Sequence, residues 1–439
     1  MRVRFWGTRG SIATPGPGTV RFGGNTSCVE ITTASGVRFV IDCGTGARPL
    51  GLHLMTAPKP LTANILLSHV HWDHIQGFPF FTPLFIPGNR IRVYGPAGAG
   101  GSLSTLLAGQ MEFTYFPVSI DQLASQLSFH ELAEGVHDID GVRVVTQFLN
   151  HPAPAIGYRI EADGCSALYL CDHEPYSGTL WRGDAEPGRM ESILHLSDRR
   201  HAQFMEGADL VIHDAQYTPE EYPAKRNWGH STYRYVVEMA AMARVRRVAL
   251  THHDPLHDDE FVACVEERAR EAAGKLGCAL EVCCAAEGME IELARDVAQP
   301  AASATVTSSS PARAARILIG DDDPDVRLLA RRILEKQGYQ VAEAKDGVET
   351  LRSVREDSPD LLILDILMPG LDGIGVLQAL RSDRQTADLP VLLLTSQADE
   401  PTERIGFDAG ATDFLTKPFS LPQLAARVQA CLARANAVP

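Results

Sequence analysis

Long apolar runs are missing from this chain of 439 residues. A helix that crosses a bilayer needs about 18 or more consecutive apolar residues, and no segment approaches that length. The first ten residues, MRVRFWGTRG, also lack the apolar core of a secretory signal. The sequence therefore predicts a cytoplasmic protein with no membrane partner.

Basic residues are in deficit, because 40 lysines and arginines face 55 aspartates and glutamates, for a formal net charge of -15. Unspecific binding to nucleic acid depends on a face rich in lysine and arginine that displaces counterions from phosphates. The charge therefore argues against a nucleic-acid partner, although a local basic groove stays open.

A disulfide framework is absent as well, since the nine cysteines are odd in number and scattered from Cys28 to Cys431. Cys283 and Cys284 are adjacent in an apolar run, which favours buried thiols over redox chemistry. We assign no chemistry to any cysteine from the sequence.

The composition, with 45% hydrophobic and 22% charged residues, is that of a folded chain. The length suggests two or three domains, of which we take two as the working count. Residues 300–315, PAASATVTSSSPARAA, are small and polar without apolar periodicity, which is typical of a flexible linker. We predict one domain at residues 1–297, a linker at 298–314 and a second domain at 315–437.

The two halves differ in pattern. The first has many short β-rich runs and few helices, which predicts packed sheets with helices outside. Its predicted strands are residues 2–6, 27–33, 37–42, 65–68, 91–94, 142–149, 167–171, 210–213 and 247–251, and its predicted helices are 232–243 and 259–275. The second half alternates strands (317–320, 361–364, 391–394) with helices (326–336, 373–381, 421–432), as in a parallel sheet covered on both faces.

A dense group of metal-ligand residues follows the apolar run 64–67. The segment SHVHWDH places His69, His71, Asp73 and His74 within six positions. Imidazole and carboxylate groups are ligands of zinc-class and manganese-class ions, and four of them in one loop favour a metal site.

Four further candidates each lie just beyond a predicted strand: His151, Asp172, Asp214 and His252. A sheet-based fold can bring such strand ends together along one edge, where loops on a rigid scaffold carry chemistry. The last candidate is ambiguous because His253 follows directly, and His253 stays an alternative to His252.

Together, the H-x-H-x-D-H run, the later single His and Asp and the final His resemble the metallo-β-lactamase superfamily over residues 1–295. The resemblance implies an α/β protein with an αββα sandwich that holds two divalent ions, Zn²⁺ or alternatively Mn²⁺ or Fe. It implies His69, His71 and His151 as ligands of one ion. It implies Asp73, His74 and His252 as ligands of the second, with Asp172 bridging the two.

Residues 228–232, WGHST, resemble the segment that supplies a catalytic histidine in ribonuclease Z-like phosphodiesterases, and His213–Asp214 resembles the pair of a histidine and an acidic residue that precedes that segment. The resemblance implies that His230 protonates the leaving oxygen and that Asp214 orients it, with Asp73 as the third catalytic residue. Alternatives stay open: a helix-capping role for the GHST segment and a strand-end turn for Asp214.

Two departures from the ribonuclease Z pattern argue against tRNA as the substrate. Only twenty positions separate His151 from Asp172, which leaves no room there for the long tRNA-binding arm of many ribonuclease Z proteins. The segments FWGTRGS, FGGNTSC and IDCGTGARPLG are similar to smaller bacterial relatives, including cyclic-nucleotide phosphodiesterases. The substrate implied is a small phosphodiester.

Three other features of the first half have open interpretations. Arg9 faces a substrate phosphate or forms a structural ion pair. Asp42 is expected to be structural rather than a ligand. The apolar segment 77–87, GFPFFTPLFIP, forms core, a homodimer contact or a substrate wall.

In the second half, acidic residues end two predicted strands: Asp321 and Asp322 in ILIGDDDP, and Asp365 in LLILDILMPG. The carboxyl ends of strands in a doubly wound sheet form the ligand crevice. Three carboxylates there would repel one another unless a cation such as Mg²⁺ lies between them.

With Thr395 and Lys417 at two further strand ends, residues 314–436 resemble response-regulator receiver domains of flavodoxin-like (βα)5 fold. The resemblance implies Asp365 as phospho-acceptor and as a Mg²⁺ ligand with Asp321 and Asp322. It also implies Thr395 as switch hydroxyl, Lys417 as phosphate partner and Phe414 as aromatic rotor, with core packing as the alternative for Phe414. The partner implied is a sensor histidine kinase or a phosphotransfer protein. Gly320 departs from the β-branched residue common before the acidic pair, which predicts a looser strand end.

The leading hypothesis is a two-metal phosphodiesterase controlled by phosphorylation of the receiver. The first alternative is a thioester or lactone hydrolase, which needs the same metals but no acid at His230. The second is a metal-bound sensor or binding module without catalysis, whose receiver mediates assembly.

Overall fold

The structure is a computed structural model. It describes residues 1–96, 101–176, 180, 192–193, 195–294, 315–383, 385–395, 409–417, 419, 424–425, 427–428 and 431–432. The chain divides into two units, one of residues 1–194 and 198–302 and one of residues 303–439 with 195–197. The linker predicted at 298–314 lies outside the described residues, so the three domain boundaries stay a prediction.

Fourteen strands form two sheets in the N-terminal unit. In chain order they are β1 (Arg2–Gly7), β2 (Cys28–Thr32), β3 (Arg38–Ile41), β4 (Thr62–Leu66), β5 (Arg90–Pro96), β6 (Gln126–Leu132), β7 (Gly135–Ile139), β8 (Val142–Phe148), β9 (Ile156–Ala162), β10 (Cys165–Leu170), β11 (Leu210–Asp214), β12 (Arg247–Thr251), β13 (Glu281–Cys284) and β14 (Glu290–Glu292). The first sheet has the order β14-β1-β2-β3-β4-β5-β6, and the second has the order β13-β12-β11-β10-β9-β8-β7.

Helices lie outside both sheets of this unit. They are α1 (Ala47–Leu54), α2 (Trp72–Ile75), α3 (Leu103–Gln110), α4 (Leu196–Met205), α5 (Tyr233–Met242) and α6 (Asp259–Lys275). One buried cluster joins inward side chains of both sheets, such as Phe5, Phe39 and Tyr158. Two others pack each sheet against its own helices. This is the predicted αββα sandwich.

All nine strands predicted for this half overlap a strand of the structure. The strands that the sequence did not predict are β9 and the four sheet edges, β6, β7, β13 and β14. An edge strand pairs on one side only and buries less surface, as the burial of β6 shows with six of its seven residues at least partly exposed. Its apolar pattern is therefore weak.

The second unit contains β15 (Arg316–Gly320), α7 (Pro324–Lys336), β16 (Gln340–Ala344), α8 (Gly347–Asp357), β17 (Leu361–Asp365), α9 (Gly373–Ser382), β18 (Val391–Thr395) and β19 (Asp413–Thr416). Its five strands are parallel in the order β16-β15-β17-β18-β19. Apolar clusters cover both faces of the sheet, which confirms the doubly wound fold. Six of the twelve residues of the helix predicted at 421–432 are described, and all six are helical; the other six lie outside the described residues.

The part of the chain that the structure describes holds no helix long and apolar enough to cross a bilayer.

Gly320 has a packing reason at the end of β15. A Cβ atom built on Gly320 would lie 2.5 Å from Oγ1 and 3.1 Å from Cγ2 of Thr350, a residue of α8. The Thr350 hydroxyl is itself fixed, since it donates a hydrogen bond of 2.8 Å to the carbonyl of Asp346. The strand end is therefore filled by a neighbouring side chain, in contrast to the looseness predicted from the sequence.

We expect Gly320→Ala to destabilise the second unit by about 1–3 kcal/mol, because the new methyl group overpacks this contact. The same substitution should cost far less in a Thr350→Ala background, since the obstructing atoms are gone. Calorimetric unfolding of the four chains of this double-mutant cycle measures the coupling. An equal cost in both backgrounds would contradict the contact.

Candidate active site

The metal loop follows β4 and turns into α2. Ser68 precedes it, and Asp73 and His74 lie within the short helix. The loop is anchored from the N-terminal segment, because the backbone N–H of Ser11 donates a 2.7 Å hydrogen bond to Oδ2 of Asp73. This anchor places the Asp73 carboxylate against the end of β12.

Four of the predicted residues form one group: His69, His71, His151 and Asp172 each offer a ligand atom, and these atoms lie within 4.8 Å of one another. Nδ1 of His71 is 3.2 Å from Nε2 of His151. Nε2 of His69 is 3.4 Å from Oδ2 of Asp172. The structure thus brings together residues that are far apart in sequence.

A second group forms around the other oxygen of Asp172. Its Oδ1 lies 3.3 Å from Nε2 of His74 and 3.3 Å from Nε2 of His252. Oδ2 of Asp73 lies 3.0 Å from His252 Nε2 and 3.3 Å from His74 Nε2. Asp172 therefore contacts both groups, one with each oxygen.

The neighbouring His253 does not join this cluster. Its Nε2 lies 2.9 Å from the carbonyl oxygen of Ala285, and burial lowers the pKa of His253 to about 3. Of the adjacent pair, His252 is the residue that faces the candidate metal centre.

Unpartnered buried atoms test whether these residues fit a metal. Nε2 of His69, Nε2 of His74 and Oδ1 of Asp172 are buried and have no hydrogen-bond partner among the described residues. Such atoms are costly unless something else satisfies them. One cation in each group would satisfy all three atoms, and imidazole with carboxylate is a donor set that suits Zn²⁺, Mn²⁺ or Fe.

The electrostatics of the pocket agree with that fit. Burial lowers the pKa of His69 well below its ordinary value and that of His151 to about 3, so both rings are neutral. Burial opposes ionisation of Asp73 and Asp172, but neighbouring histidines, chiefly His74 and His252, hold both carboxyl pKa values well below their usual range. Burial also lowers the pKa of His74, but Asp73, Asp172 and Asp42 outweigh it, so the net shift of His74 is well upward and a cation bound at this ring takes the place of a proton.

Asp42 orients one of the rings. Its Oδ2 lies 2.7 Å from Nδ1 of His74 and accepts a hydrogen bond of 2.7 Å from the hydroxyl of Tyr169. Its Oδ1 accepts a 2.7 Å hydrogen bond from the backbone N–H of Ser68. Both oxygens of the Asp42 carboxylate are thus occupied by protein groups, which fits the expected structural role of Asp42. Because Nδ1 of His74 contacts Asp42, Nε2 of that ring is directed towards the candidate metal centre.

Asp42, Asp172 and His252 share an unusual backbone conformation at strand ends, with φ of 58°, 64° and 62°. This left-handed region is costly for residues other than glycine and persists where the surroundings enforce it. Three of the nine described non-glycine residues with positive φ therefore lie at the candidate metal centre.

His230 lies beside the cluster. Its Nδ1 is 3.5 Å from Oδ2 of Asp214 and 4.0 Å from Oδ2 of Asp172, and its ring stacks on that of His252 at 4.9 Å. Burial lowers the pKa of His230, but Asp172 and Asp214 outweigh it, so the net shift is upward. The helix-capping role belongs to Thr232, whose side chain accepts from the backbone N–H of Tyr235.

Asp214 ends β11 and is held by two backbone donors. The N–H of His173 donates to Oδ1 at 3.0 Å, and the N–H of Ser231 donates to Oδ2 at 2.8 Å. Burial opposes its ionisation, but His213 and His230 hold its pKa well below the usual range. Asp214 is therefore a fixed, ionised carboxylate facing His230.

Glu174 is a residue that the sequence reasoning missed. Its carboxylate accepts from the backbone N–H groups of Asn227 at 2.8 Å and Gly229 at 2.9 Å, which fixes the loop before His230. Gly229 is needed there, since its φ is 88° and a Cβ would lie 2.2 Å from Nδ1 of His151. The one available signal is that Glu174 follows Asp172 closely at a strand end.

A cluster of buried histidines behind Asp214 was also missed. Nδ1 of His213 lies 2.8 Å from the carbonyl oxygen of Asp214, Nε2 of His201 lies 3.1 Å from Nε2 of His213, and the rings of His173 and His201 stack at 3.8 Å. No sequence signal predicts it, because these residues come from three separate elements.

Arg9 takes neither of its two expected roles. Its side chain is fully buried and donates to the backbone carbonyls of Gly23 at 2.7 Å and His257 at 2.6 Å. A guanidinium enclosed by carbonyl oxygens is not presented to a substrate phosphate, and Arg9 forms no ion pair among the described residues. It joins the N-terminal segment to the segment after His252.

The apolar segment 77–87 contributes to the core. Phe78, Phe81 and Leu84 are fully buried in the cluster that packs the first sheet against its helices. Phe80 exposes 53% of its surface, and Pro87 at the end of the segment is exposed as well. The core interpretation of this segment therefore describes most of it.

In the second unit, Lys417 connects two of the predicted carboxylates. Its Nζ is 2.7 Å from Oδ2 of Asp321 and 2.9 Å from Oδ1 of Asp365. Asp321, Asp322 and Asp365 each offer an oxygen within 4.8 Å of the others. Burial, with the charge of Asp321 adding to it, raises the pKa of Asp365 despite Lys417. A hard, oxygen-seeking cation such as Mg²⁺ fits this group.

Thr395 ends β18 and is buried, and its carbonyl accepts a 2.6 Å hydrogen bond from the backbone N–H of Lys417. The side chain of Phe414 lies outside the described residues, so its predicted role as rotor stays a prediction.

Comparison with known proteins gives a family match for each half of the chain. Residues 37–253 match the model of the beta-lactamase superfamily domain, and residues 317–429 match that of the response regulator receiver domain. The chain therefore contains a metallo-β-lactamase-fold domain followed by a receiver domain.

Individual relatives match one half each. The response regulator MprA of Mycobacterium leprae is 52% identical over 120 residues, which are 27% of this chain and 51% of that protein. The chain thus spans about half the length of the curated relatives it matches. The metallo-beta-lactamase fold protein YhfI of Bacillus subtilis is 16% identical, with 66% of this chain and 99% of that chain covered at a TM-score of 0.46. The short form of human tRNase Z is 21% identical, with 66% and 99% covered at a TM-score of 0.45.

We expect Asp42→Asn to weaken metal binding about 10–100-fold, because the orienting partner of His74 is lost. Elemental analysis after dialysis against a graded chelator measures the loss. Asp140→Asn is the matched control, since Asp140 is paired with Arg92 near the protein surface. Equal metal retention by the two variants would contradict the role of Asp42.

Proposed function

We propose that the chain is a two-metal phosphodiesterase whose activity is controlled by phosphorylation of its receiver domain. The fold supports hydrolysis in general. The observation that carries the finer proposal is the position of His230, whose Nδ1 lies 3.5 Å from Asp214 and 4.0 Å from Asp172. An acid held beside the candidate metal centre is what a phosphodiester needs and what an activated acyl ester can do without.

The residues of the candidate site form two groups of metal ligands. His69, His71, His151 and Asp172 would hold one ion, and Asp73, His74, His252 and Asp172 would hold the other. When bound, two such ions supply a hydroxide nucleophile near neutral pH and stabilise charge that develops on the substrate oxygens. The ionised Asp73 and Asp172 give the pocket the negative potential that retains these cations.

His230 is proposed as the proton donor. Asp214 is fixed by two backbone N–H groups, and its carboxylate, 3.5 Å from Nδ1 of the ring, stabilises the protonated form of His230. The other ring nitrogen, Nε2, is then the donor to the leaving oxygen. An alkoxide leaving group requires this proton because it is a strong base.

A cationic and aromatic group near His230 supports an anionic substrate. Nζ of Lys225 lies 4.3 Å from the ring centroid of Trp228 and 5.8 Å from that of Tyr217, and the Tyr217 ring meets that of His230 at 5.9 Å. Lys225 forms no ion pair with any described carboxylate. An unpaired cation in a chain of net charge -15 is suited to a phosphate group.

The receiver supplies the regulation in this proposal. A histidine kinase or phosphotransfer protein would phosphorylate Asp365, with Mg²⁺ held by Asp321, Asp322 and Asp365. The phosphoryl oxygens would then engage Lys417 and Thr395, which shifts a two-state surface of the domain. The kinase partner and the coupling to hydrolysis are both part of the proposal.

We expect His230→Ala to lower kcat about 10²–10⁴-fold on an alkyl phosphodiester, because protonation of the leaving group is lost. The loss should be much smaller on bis-p-nitrophenyl phosphate, whose leaving group needs little help. The ratio of the two effects is an internal control for folding and metal content. A uniform loss on both substrates would remove His230 from the role of acid.

Thioesters and lactones, assayed with the same pair of proteins, test the first alternative. Efficient turnover of either that is insensitive to His230→Ala would favour the acyl hydrolase. Two filled metal sites with no turnover across the whole panel would favour the sensor or binding module.

We expect acetyl phosphate with Mg²⁺ to change the kcat/KM of the wild-type chain for its phosphodiester and to leave that of Asp365→Asn unchanged. The reason is that only the wild type carries the phospho-acceptor. Steady-state assays at matched metal content measure the change. If both proteins respond alike, or neither responds, the receiver does not control the hydrolase.

A further inference from the structure

The nine cysteines have no sequence signal for chemistry, yet one of them lies at the candidate metal centre. Sγ of Cys171 belongs to a group with His74, Asp172 and His252 whose ligand atoms all lie within 4.8 Å of one another. None of the other cysteines joins such a group in the described part of the chain. All four members of the group are buried.

The position of Cys171 follows from the alternation of β10. Cys165, Ala167, Tyr169 and Cys171 belong to the cluster between the two sheets, whereas Leu168 and Leu170 pack against the helices. The strand ends at Leu170, and Cys171 is the last residue before Asp172 that faces between the two sheets. Its side chain therefore lies next to the candidate metal centre. Cys165 points the same way from the other end of the strand.

Independent atoms point to a ligand at the same place. Nε2 of His74 and Oδ1 of Asp172 are buried and have no hydrogen-bond partner among the described residues, and they are 3.3 Å apart. The sulfur of Cys171 lies within 4.8 Å of a ligand atom of each of these two residues, close to the largest separation of about 4.0–4.6 Å that two ligands of one ion can have at metal–ligand distances of about 2.0–2.3 Å.

We propose that Cys171 is a thiolate ligand of the second metal ion, beside His74, Asp172 and His252, and that it makes this position selective for zinc. On binding, the S–H bond breaks, a metal–sulfur bond forms and the proton leaves to solvent, with no change of oxidation state. Thiolate is a soft donor that favours Zn²⁺ over Mn²⁺, which prefers oxygen ligands.

The proposal rests on the two-metal centre, not on the phosphodiesterase activity, and it distinguishes two interpretations of the thiol. A buried cysteine that only fills space would contribute packing and would leave metal preference unchanged. A ligand changes the spectrum of the bound ion. Spectroscopy of the loaded protein therefore separates them without any activity assay.

The test uses the full chain loaded with Co²⁺ in place of the native metal. We expect two bound Co²⁺ per chain in the hydrolase unit and a near-ultraviolet sulfur-to-cobalt charge-transfer band. Cys171→Ser should lose the band, whereas Cys165→Ser, in the same strand and on the same face, should keep it. Competition should also show that Cys171→Ser loses preference for Zn²⁺ over Mn²⁺ by about tenfold or more.

Two Co²⁺ ions bound without the band, or with a band that survives Cys171→Ser, would overturn the assignment of the thiolate and leave the two-metal centre in place. Failure to bind Co²⁺ in the hydrolase unit would overturn both. If Cys171→Ser does not fold, X-ray absorption at the zinc edge of the wild type decides. One sulfur scatterer per two zinc ions supports the proposal, and nitrogen and oxygen scatterers alone refute it.

Discussion

The candidate metal centre of the N-terminal unit depends on the carboxylate of Asp172. One of its oxygens lies 3.4 Å from His69, and the other lies 3.3 Å from both His74 and His252. No other described residue contacts both groups in this way through its two oxygens. Because the residue has a positive φ of 64°, the end of β10 is strained to hold it there, and the surrounding packing must maintain that geometry.

A supporting layer makes the cluster rigid. Asp42 fixes one imidazole, Asp214 faces His230, and Glu174 holds the loop that carries His230 through two backbone N–H groups. Each of these carboxylates also accepts at least one hydrogen bond from a backbone N–H group, which fixes its position. Such a layer is what keeps side chains of distant origin within hydrogen-bonding distance of one another.

Much of the fold could be predicted, and the strands that were missed, apart from the interior strand β9, have one physical cause. Interior strands such as β2, β3, β11 and β12 are buried on both sides and have clear apolar runs. The edges β6, β7, β13, β14 and, in the receiver, β16 pair on one side only, so their sequences are mixed and their existence depends on the neighbour that they pair with. Gly320 is a smaller example, because the side chain that requires a glycine at this position is Thr350, thirty positions further along the chain.

The sequence by itself determined which functional groups are available in each half. The first half has clustered imidazoles and carboxylates, and the second has acidic residues at strand ends together with Thr395 and Lys417. These motifs are local, so spacing and residue type reveal them. Only the tertiary structure decided which histidine of the pair 252–253 faces the cluster, that Arg9 is enclosed by carbonyls, and that Glu174 and Cys171 lie at the site. Those outcomes depend on which atoms come into contact when the two sheets pack together. Contacts between segments that are distant in sequence cannot be predicted from the local spacing of residues.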